Sequence, residues 1–432
     1  MAWIRVVVLA SVVLFLSQLN RWVVFDKLFF VLLGVLAVSF VWSRFALQGL
    51  VVTRRTTTDR AHVGEQLVEW VEVQNRSRLG KLWVEVLDRS ELPGHRLSRV
   101  VSLGPNATVS WRAKTWCTRR GRFRLGPIVV RSGDPFGLFE RRVLVPVTHQ
   151  LVVYPAVVDL STVRLPAGEL PGGSQLQKRT PYVTPNVSGI RQYQPGDSFN
   201  RIAWSASART GQLMVKEFEL DPSTDVWLVL DGDQRHHVRA AVTGEVRSAA
   251  SAVEVLLDST EEYAVTIAAS LARFFLDQNR AVGLIAQGPR SVVLPTDRGA
   301  RQLVKILDFL AEFHASGTVS LQELLLAEQA HFGRQSAIIV ITPSTDETWV
   351  RALAELALRS VRALAVIVEP STFGGSESSL LVVSELTALG VPFVLVKYGD
   401  DLRRALAMPV GLVLSGRQGG QRGAAHLAPP HS

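Results

Sequence analysis

Two long apolar runs open the chain, and short segments of alternating polarity follow them. The runs extend from Ala2 to Gln18, interrupted by Arg5, and from Leu28 to Ser43, without a charged residue. A bilayer core about 30 Å thick needs about 20 apolar residues per helix, so each run reaches that length only with its flanking residues. Tryptophans lie near the ends of the runs: Trp3, Trp22 and Trp42. We therefore predict a two-helix membrane hairpin over residues 1–50.

A cleaved signal peptide is the alternative interpretation of the first run. No clear small-x-small cleavage site follows it, and the second run would stop transfer across the membrane. Arg21 and Lys27 lie in the short loop, whereas four arginines follow the second run: Arg44, Arg54, Arg55 and Arg60. The positive-inside tendency then places the loop outside the cell membrane and the bulk of the chain in the cytoplasm.

From Val51 to Pro155, apolar and polar residues alternate in short segments. Such segments, separated by turns that contain Asn, Gly and Pro, predict a β-sandwich, which we assign to residues 51–156. The predicted strands are 66–73, 82–87, 109–114, 123–125, 127–130 and 151–154. The turn Asp134-Pro-Phe-Gly-Leu-Phe lies among them, and we expect its two phenylalanines to pin it to the core.

Alternating helix and strand patterns over residues 224–415 are typical of a doubly wound parallel sheet. The apolar run Val226–Leu230 ends in Asp231, as a buried parallel strand does at the carboxyl edge of a sheet. The predicted strands that follow are 281–286, 337–342, 363–368 and 393–396, and the predicted helices are 261–277, 299–313, 321–330 and 347–358. Residues 157–223 hold a linker and a signature segment, and residues 416–432 are predicted to be a disordered tail.

The signature segment is dense in Arg, Asp, Tyr and Trp side chains. Its candidate binding residues are Arg191, Tyr193, Pro195, Gly196, Asp197, Arg201, Trp204 and Arg209. Pro195 and Gly196 predict a tight turn, Asp197 is expected to cap a short helical segment, and Ile202 and Trp204 are expected to be apolar anchors. Either Arg201 and Arg209 bridge to carboxylates or backbone carbonyls and clamp the linker onto the next domain, or the arginines form a docking face for an acidic partner. The residues alone favour the clamp.

These motifs resemble a bacterial family, the domain of unknown function 58. Tyr193, Pro195, Gly196 and Asp197 match its Tyr-x-Pro-Gly-Asp element, and the Arg-x-x-Trp and Ala-Arg-x-Gly-x-Leu elements follow in order. The run that begins at Arg120, the Asp134 turn and the two-helix hairpin are also similar to that family. The resemblance implies a von Willebrand factor A-like domain at the C-terminal side. It also implies a MoxR-type AAA+ ATPase as partner, in assembly or chaperone-like roles.

An A-like domain holds its cation with an Asp-x-Ser-x-Ser element, and here the matching positions are Asp231, Asp233 and Arg235. Magnesium needs several oxygen ligands, both serines are absent, and the Arg235 charge would oppose a divalent cation. Ser344 lies close to the point where many metal-binding members have an aspartate. We therefore expect no bound cofactor, with Asp231 and Asp233 as the candidate ligands if magnesium does bind. The alternative is that Asp231 caps a loop or pairs with an arginine.

Composition narrows the function classes. A 47% hydrophobic content excludes a disordered or fibrous protein, and Cys117 as the sole cysteine excludes an intrachain disulfide. A net charge of +9 permits an acidic partner or an anionic membrane. We find no phosphate loop, nucleophile elbow or zinc-protease motif, and the adjacent His236 and His237 do not suit a two-histidine metal site. Two arginines in the tail are too few to predict nucleic-acid binding.

The leading hypothesis is therefore a membrane-anchored, non-enzymatic scaffold that binds proteins. A metal-dependent ligand-binding domain that uses Asp231 and Asp233 is the alternative. A hydrolase that uses the same two carboxylates is the third interpretation.

Overall fold

The structure is a computed structural model. It describes residues 2–20, 22–160, 187–194, 197, 199, 202–218, 225–240, 257–288, 291–333, 336–359 and 361–407. The chain divides into two compact units, residues 1–156 with 308–312, and residues 157–307 with 313–432. Most of the predicted linker, the predicted tail, Pro195, Gly196 and Arg201 lie outside the described residues.

Two apolar helices begin the first unit. Helix α1 is Ala2–Asn20 and helix α2 is Val23–Phe45. Among the described residues, α2 is the helix long and apolar enough to cross a membrane, and α1 holds a shorter apolar stretch, Trp3–Leu19. Large apolar side chains cover their outer surfaces, and Phe15 and Phe30 are 66% and 67% exposed. By length and composition, α2 suits a membrane anchor or a signal sequence.

The rest of the first unit is rich in β-structure. Its strands are β1 Leu50–Thr56, β2 Arg60–His62, β3 Gln66–Asn75, β4 Lys81–Asp88, β5 Arg99–Leu103, β6 Thr108–Trp116, β7 Gly121–Leu125, β8 Ile128–Gly133, β9 Glu140–Val145 and β10 His149–Tyr154. They form sheets in the orders β1-β3-β6, β2-β10-β7 and β5-β4-β8-β9. Each of the six predicted strands overlaps an observed one, whereas β1, β2, β5 and β9 were not predicted.

Alternation along the strands builds the core of this unit. In β3 the inward positions Val71 and Val73 are fully buried, and they pack with Val84, Val86 and Ile128 from neighbouring strands. Period-2 patterning therefore places one face of each strand in the core and the other towards solvent.

The prediction that two phenylalanines pin the Asp134 turn to the core is wrong. The backbone N–H groups of Phe136 and Phe139 donate to the Asp134 carboxylate at 3.0 and 2.6 Å, so hydrogen bonds hold the turn. Phe136 is 60% exposed. The Phe139 ring lies 6.3 Å from the Trp3 ring and 5.8 Å from the Phe40 ring, so it packs against both helices instead.

The second unit begins with a small two-stranded sheet. Strands β11 Val187–Gln192 and β12 Met214–Phe218 pair in antiparallel fashion, and helix α3 Trp204–Thr210 lies between them in sequence. Strand β11 lies within residues 157–223, which were assigned to the linker and the signature segment.

A six-stranded sheet forms the rest of the second unit. Its strands are β13 Val226–Leu230, β14 Val282–Gln287, β15 Ser291–Asp297, β16 Ala337–Thr342, β17 Arg362–Val368 and β18 Phe393–Val396. The accompanying helices are α4 Thr260–Asp277, α5 Ala300–Glu312, α6 Leu321–Ala327, α7 Thr348–Leu358, α8 Leu380–Ala388 and α9 Leu402–Ala407; the last five residues of α5 are assigned to the first unit. Every strand and helix predicted in this region overlaps an observed element, and β15, α8 and α9 are additional.

The strand order is β15-β14-β13-β16-β17-β18, and all neighbours are parallel except the antiparallel edge strand β15. All five residues of β13 are buried, as its apolar sequence predicts for a central parallel strand. Strand β13 lies between β14 and β16, where the strand order reverses. Such a reversal opens a crevice at the carboxyl ends of the strands.

Candidate functional site

Polar side chains end three neighbouring parallel strands of the large sheet. Asp231 follows β13, Thr342 ends β16 and Glu369 follows β17. The carboxyl ends of parallel strands meet at one edge, which is the edge where open α/β sheets bind ligands. All three side chains are buried. Buried polar groups need hydrogen-bond partners, so each of these side chains holds neighbouring groups in place at the edge of the sheet.

Asp231 is held by neighbours on two elements. Its Oδ1 accepts from the Asp233 backbone N–H at 3.0 Å, and its Oδ2 accepts from Thr342 Oγ1 at 2.6 Å. His237 Nε2 lies 3.1 Å from the Asp231 carbonyl oxygen and therefore donates to it. Burial lowers the pKa of His237, which favours the neutral ring, so Nδ1 is left to accept from Thr260 Oγ1 at 3.2 Å.

Asp233 is bound by the side chain of Arg235. The guanidinium Nε lies 3.0 Å from each carboxylate oxygen, and Nη2 lies 2.5 Å from Oδ2. Burial alone would raise the pKa of Asp233, but the hydrogen bonds and charge of Arg235 more than offset this and lower it. Both carboxylate oxygens thus face a guanidinium, although Arg235 itself is 61% exposed.

The structure therefore brings the two candidate metal ligands together at the sheet edge, with an arginine bound to one of them. Within the described ranges, no group of three or more His, Cys, Asp or Glu side chains is placed to hold a metal ion. Asp231 accepts from a backbone N–H and a hydroxyl, and Asp233 pairs with Arg235.

A cleft of about 340 Å³ adjoins Arg235. His236, Asp346 and Glu377 are among its lining residues, and the Thr345 hydroxyl donates to Glu377. Glu369 supports one wall: Ser371 Oγ donates to it at 2.6 Å, and Ser379 donates from its backbone N–H and its hydroxyl. Sequence reasoning missed these acidic residues. Glu369 follows a buried apolar run directly, which is the same signal that identified Asp231.

In the signature segment, Arg191 and Asp197 form a bidentate ion pair. Arg191 Nη1 and Nη2 donate to the two Asp197 carboxylate oxygens at 2.7 and 2.6 Å, and the Gln194 N–H adds a bond at 2.9 Å. Residues 198, 200 and 201, which belong to the short segment that Asp197 was predicted to cap, lie outside the described residues, and α3 begins later, after Ala203, without a side-chain cap. This ion pair closes a loop within the segment itself.

Large apolar side chains of this segment are exposed. Their exposed fractions are 48% for Ile190, 72% for Phe199, 67% for Trp204 and 46% for Leu213. Ile202 is buried, as predicted, but the prediction that Trp204 is an apolar anchor is wrong, because it begins α3 on the outward side. Tyr193 is near Phe199, with ring centroids 6.5 Å apart. Arg209 is exposed and forms no ion pair within the part of the chain that the structure describes.

Comparison with known proteins confirms the predicted family resemblance. Residues 189–371 match the family model described as Protein of unknown function DUF58. The chain is also similar to Uncharacterized protein YeaD of Bacillus subtilis (strain 168). The two are 24% identical over 340 residues, which are 76% of this chain and 79% of that protein.

Similarity to solved structures is local. The CARDB domain of the PF1109 protein from Pyrococcus furiosus, solved in complex with di-metal ions, is 19% identical and covers 24% of this chain and 91% of that domain, with a TM-score of 0.19. The DNA glycosylase AlkC from Pseudomonas fluorescens is 15% identical and covers 26% of this chain and 33% of that one, with a TM-score of 0.19. Similarity at this level carries no argument about activity.

Proposed function

We propose that the chain is a membrane-anchored, non-enzymatic scaffold that docks other proteins through its signature segment. The observation that carries the proposal is that one small β-α unit exposes four large apolar side chains: Ile190, Phe199, Trp204 and Leu213. Exposed apolar groups of this kind mark interaction surfaces, and Trp, Tyr and Arg dominate the binding energy of interfaces. The exposed charge of Arg209, which has no ion-pair partner among the described residues, adds an attraction for an acidic partner.

The ion pair between Arg191 and Asp197 supports this proposal. Arg191 and Asp197 neutralise each other within the loop, so they fix its shape and leave the apolar side chains to make contacts outside it. A loop held in one conformation loses less entropy when a partner binds.

The family resemblance supplies the proposed partner, a MoxR-type AAA+ ATPase that acts in assembly or chaperone-like maturation of other proteins. It also supplies the assignment of the six-stranded sheet as von Willebrand factor A-like. The mostly parallel strand order, with Asp231 at the end of the central strand β13, supports that assignment.

Membrane anchoring by a helical hairpin is part of the proposal, with the bulk of the chain in the cytoplasm. Trp3 near the start of α1 and Phe40 near the end of α2 both pack against Phe139. The free ends of the two helices therefore lie together, as a hairpin requires. Trp3 and Trp42 are each 37% exposed at this end, which suits side chains at a membrane interface.

Crosslinking of the full chain in native membranes tests the proposal, with captured proteins identified by mass spectrometry. Trp204→Ala and Arg209→Ala should each lower the yield of captured AAA+ ATPase at least about fivefold, since a hot-spot side chain contributes over about 1 kcal/mol. Leu358→Ala is the matched control, because Leu358 is 87% exposed and distant in sequence. Absence of any AAA+ ATPase from the wild-type sample would refute the partnership. If both variants capture as much ATPase as the wild type, then the signature segment does not dock this partner and acts only as a clamp.

A second candidate is a metal-dependent ligand-binding domain, which the proximity of Asp231 and Asp233 favours. Against it stands the Arg235 guanidinium, which already neutralises Asp233. A hydrolase based on the same carboxylates faces the same objection, because a general base needs a free lone pair towards its substrate.

A further inference from the structure

An apolar groove lies where the end of α2 meets the start of β4. Its volume is about 550 Å³, and it is lined by Val38, Val41 and Trp42 on the helix and by Leu79 and Leu82 on the strand side. The volume falls within the range of about 300–1,000 Å³ that small-molecule sites occupy. Leu79 and Leu82 form the wall opposite the helix. They are 56% and 61% exposed, so the apolar surface of this wall is accessible.

Two cationic side chains bind backbone carbonyl groups at the end of α2, beside this groove. Lys81, which also lines it, is buried, and its Nζ donates to the Phe45 carbonyl oxygen at 2.6 Å. Arg141 Nη1 donates to the Arg44 carbonyl oxygen at 3.3 Å. These groups offset the negative end of the α2 dipole, and each retains further N–H donors. Burial lowers the pKa of Lys81 because desolvation disfavours its charged amine. An anion bound nearby would offset this desolvation cost.

The groove thus combines apolar walls with cations at one end. No Asp or Glu is among the described residues that line it. The helix wall belongs to the last turns of α2, where a membrane helix passes from hydrocarbon to headgroups. A ligand that matches both halves is an amphiphile with an anionic head.

We propose that this groove binds one anionic diacyl phospholipid from the membrane. An acyl chain lies along α2 against Val38 and Trp42, and the phosphate faces Lys81 and Arg141. This inference rests on the proposed membrane anchoring. Basic residues beside a membrane helix attract anionic lipids, and each contributes about fivefold to binding.

The test uses the full chain, purified in detergent, stripped of lipid and titrated with phosphatidylglycerol or phosphatidylcholine. Native mass spectrometry counts the bound lipids. We expect one retained phosphatidylglycerol that phosphatidylcholine does not displace. Val38→Trp fills the groove and leaves Lys81 intact, so it should abolish this binding. Val31→Trp is the matched control, because Val31 is 60% exposed on the same helix and does not line the groove.

Charge is tested separately. Lys81→Gln should weaken phosphatidylglycerol binding about fivefold, and Lys114→Gln, on exposed strand surface, should not change it. Equal binding of both lipids, or equal binding by Val38→Trp and Val31→Trp, would overturn the inference and leave only bulk lipid around the helices.

Flotation with vesicles of both lipids separates this failure from failure of the proposed function. A chain that floats with vesicles but shows no phosphatidylglycerol preference refutes only the groove. A chain that does not float refutes the membrane anchor and the groove with it.

Discussion

Arg235 binds the buried Asp233 carboxylate with its guanidinium, whose Nη2 lies 2.5 Å from Asp233 Oδ2. The Asp233 side chain is 1% exposed and the Arg235 side chain is 61% exposed. A buried carboxylate needs a compensating charge, and here the chain supplies it two residues away. Arg235 therefore supplies the positive charge that offsets the buried Asp233 carboxylate.

Magnesium should therefore not stabilise the wild-type chain, whereas it should stabilise Arg235→Ser. Removal of the guanidinium leaves Asp231 and Asp233 side by side with the Thr342 hydroxyl, and a hydroxyl-bearing side chain replaces the arginine. Ligand linkage then predicts a rise in stability of about 2.7 kcal/mol once free magnesium reaches about 100 times its Kd. Differential scanning fluorimetry of both proteins in detergent measures this. A Tm that rises with magnesium in the wild type would support the metal-dependent candidate instead.

A second buried ion-pair network lies inside the β-rich unit. Arg54 donates to Glu69 at 2.8 Å and to Asp88 at 3.1 Å, and His95 Nε2 lies 2.9 Å from Asp88 Oδ2. All four side chains are at most 3% exposed. Removal of one member of such a network leaves an uncompensated charge, which makes it sensitive to mutation and to pH.

Asp88→Asn should destabilise the chain at neutral pH by about 3 kcal/mol, because it breaks a buried charge pair. Burial alone would raise the pKa of Asp88, but hydrogen bonds from His95 and Ser90 and the charge of Arg54 lower it below 3.8. A pKa that is lower in the folded chain stabilises the fold above the unfolded pKa, and this stabilisation is lost as pH falls through the folded value. The difference between wild type and variant should therefore shrink below about pH 4.

Urea unfolding at several pH values checks the Asp88 prediction. Glu91→Gln is the control, because Glu91 and its partner Arg124 are 53% and 57% exposed and such pairs contribute at most about 1 kcal/mol. A pH-independent difference for Asp88→Asn would show that the loss is one of packing rather than charge.

Alternation and apolar runs were enough to predict most strands of both units, because burial imposes a period on the sequence. The β15 strand was missed because Pro295 interrupts it and its side chains are only half-buried or exposed. Helix α8 was missed because Leu380 and Leu381 are 72% and 66% exposed, so its apolar positions do not mark one face. Elements at the edge of the fold bury fewer side chains than central ones, so their alternation of apolar and polar residues is weaker.

Contacts between distant residues could not be predicted from local pattern. Arg54 was assigned to the basic residues that follow the membrane hairpin, yet its side chain is 1% exposed beside Glu69. Arg191 was named only as a candidate binding residue, yet strand β11 brings it into a bidentate ion pair with Asp197. Charge counts describe the sequence neighbourhood of a residue, whereas the fold decides which charge it meets.

Cys117 should resist alkylation in the folded chain. Its thiol is fully buried, and burial raises its pKa to about 11, so little of the reactive thiolate is present at pH 8. Iodoacetamide at that pH should modify the chain only after unfolding in urea, as mass spectrometry will show. Cys117→Ser should gain no adduct in either state, and rapid labelling of the native wild type would contradict the buried placement.

Gly232→Ala should disrupt the sheet edge more than any exposed substitution nearby. Gly232 separates Asp231 from Asp233, and a Cβ atom there would lie 1.5 Å from the Gln287 carbonyl oxygen. Backbone must move to relieve that clash, which displaces both carboxylates and should cost about 3 kcal/mol or more. Gly288→Ala is the matched control, because its Cβ would meet the His314 carbonyl oxygen at an ordinary 3.4 Å. Thermal unfolding of both variants measures the difference, and equal Tm values would show that the β13 and β14 ends are not in close contact.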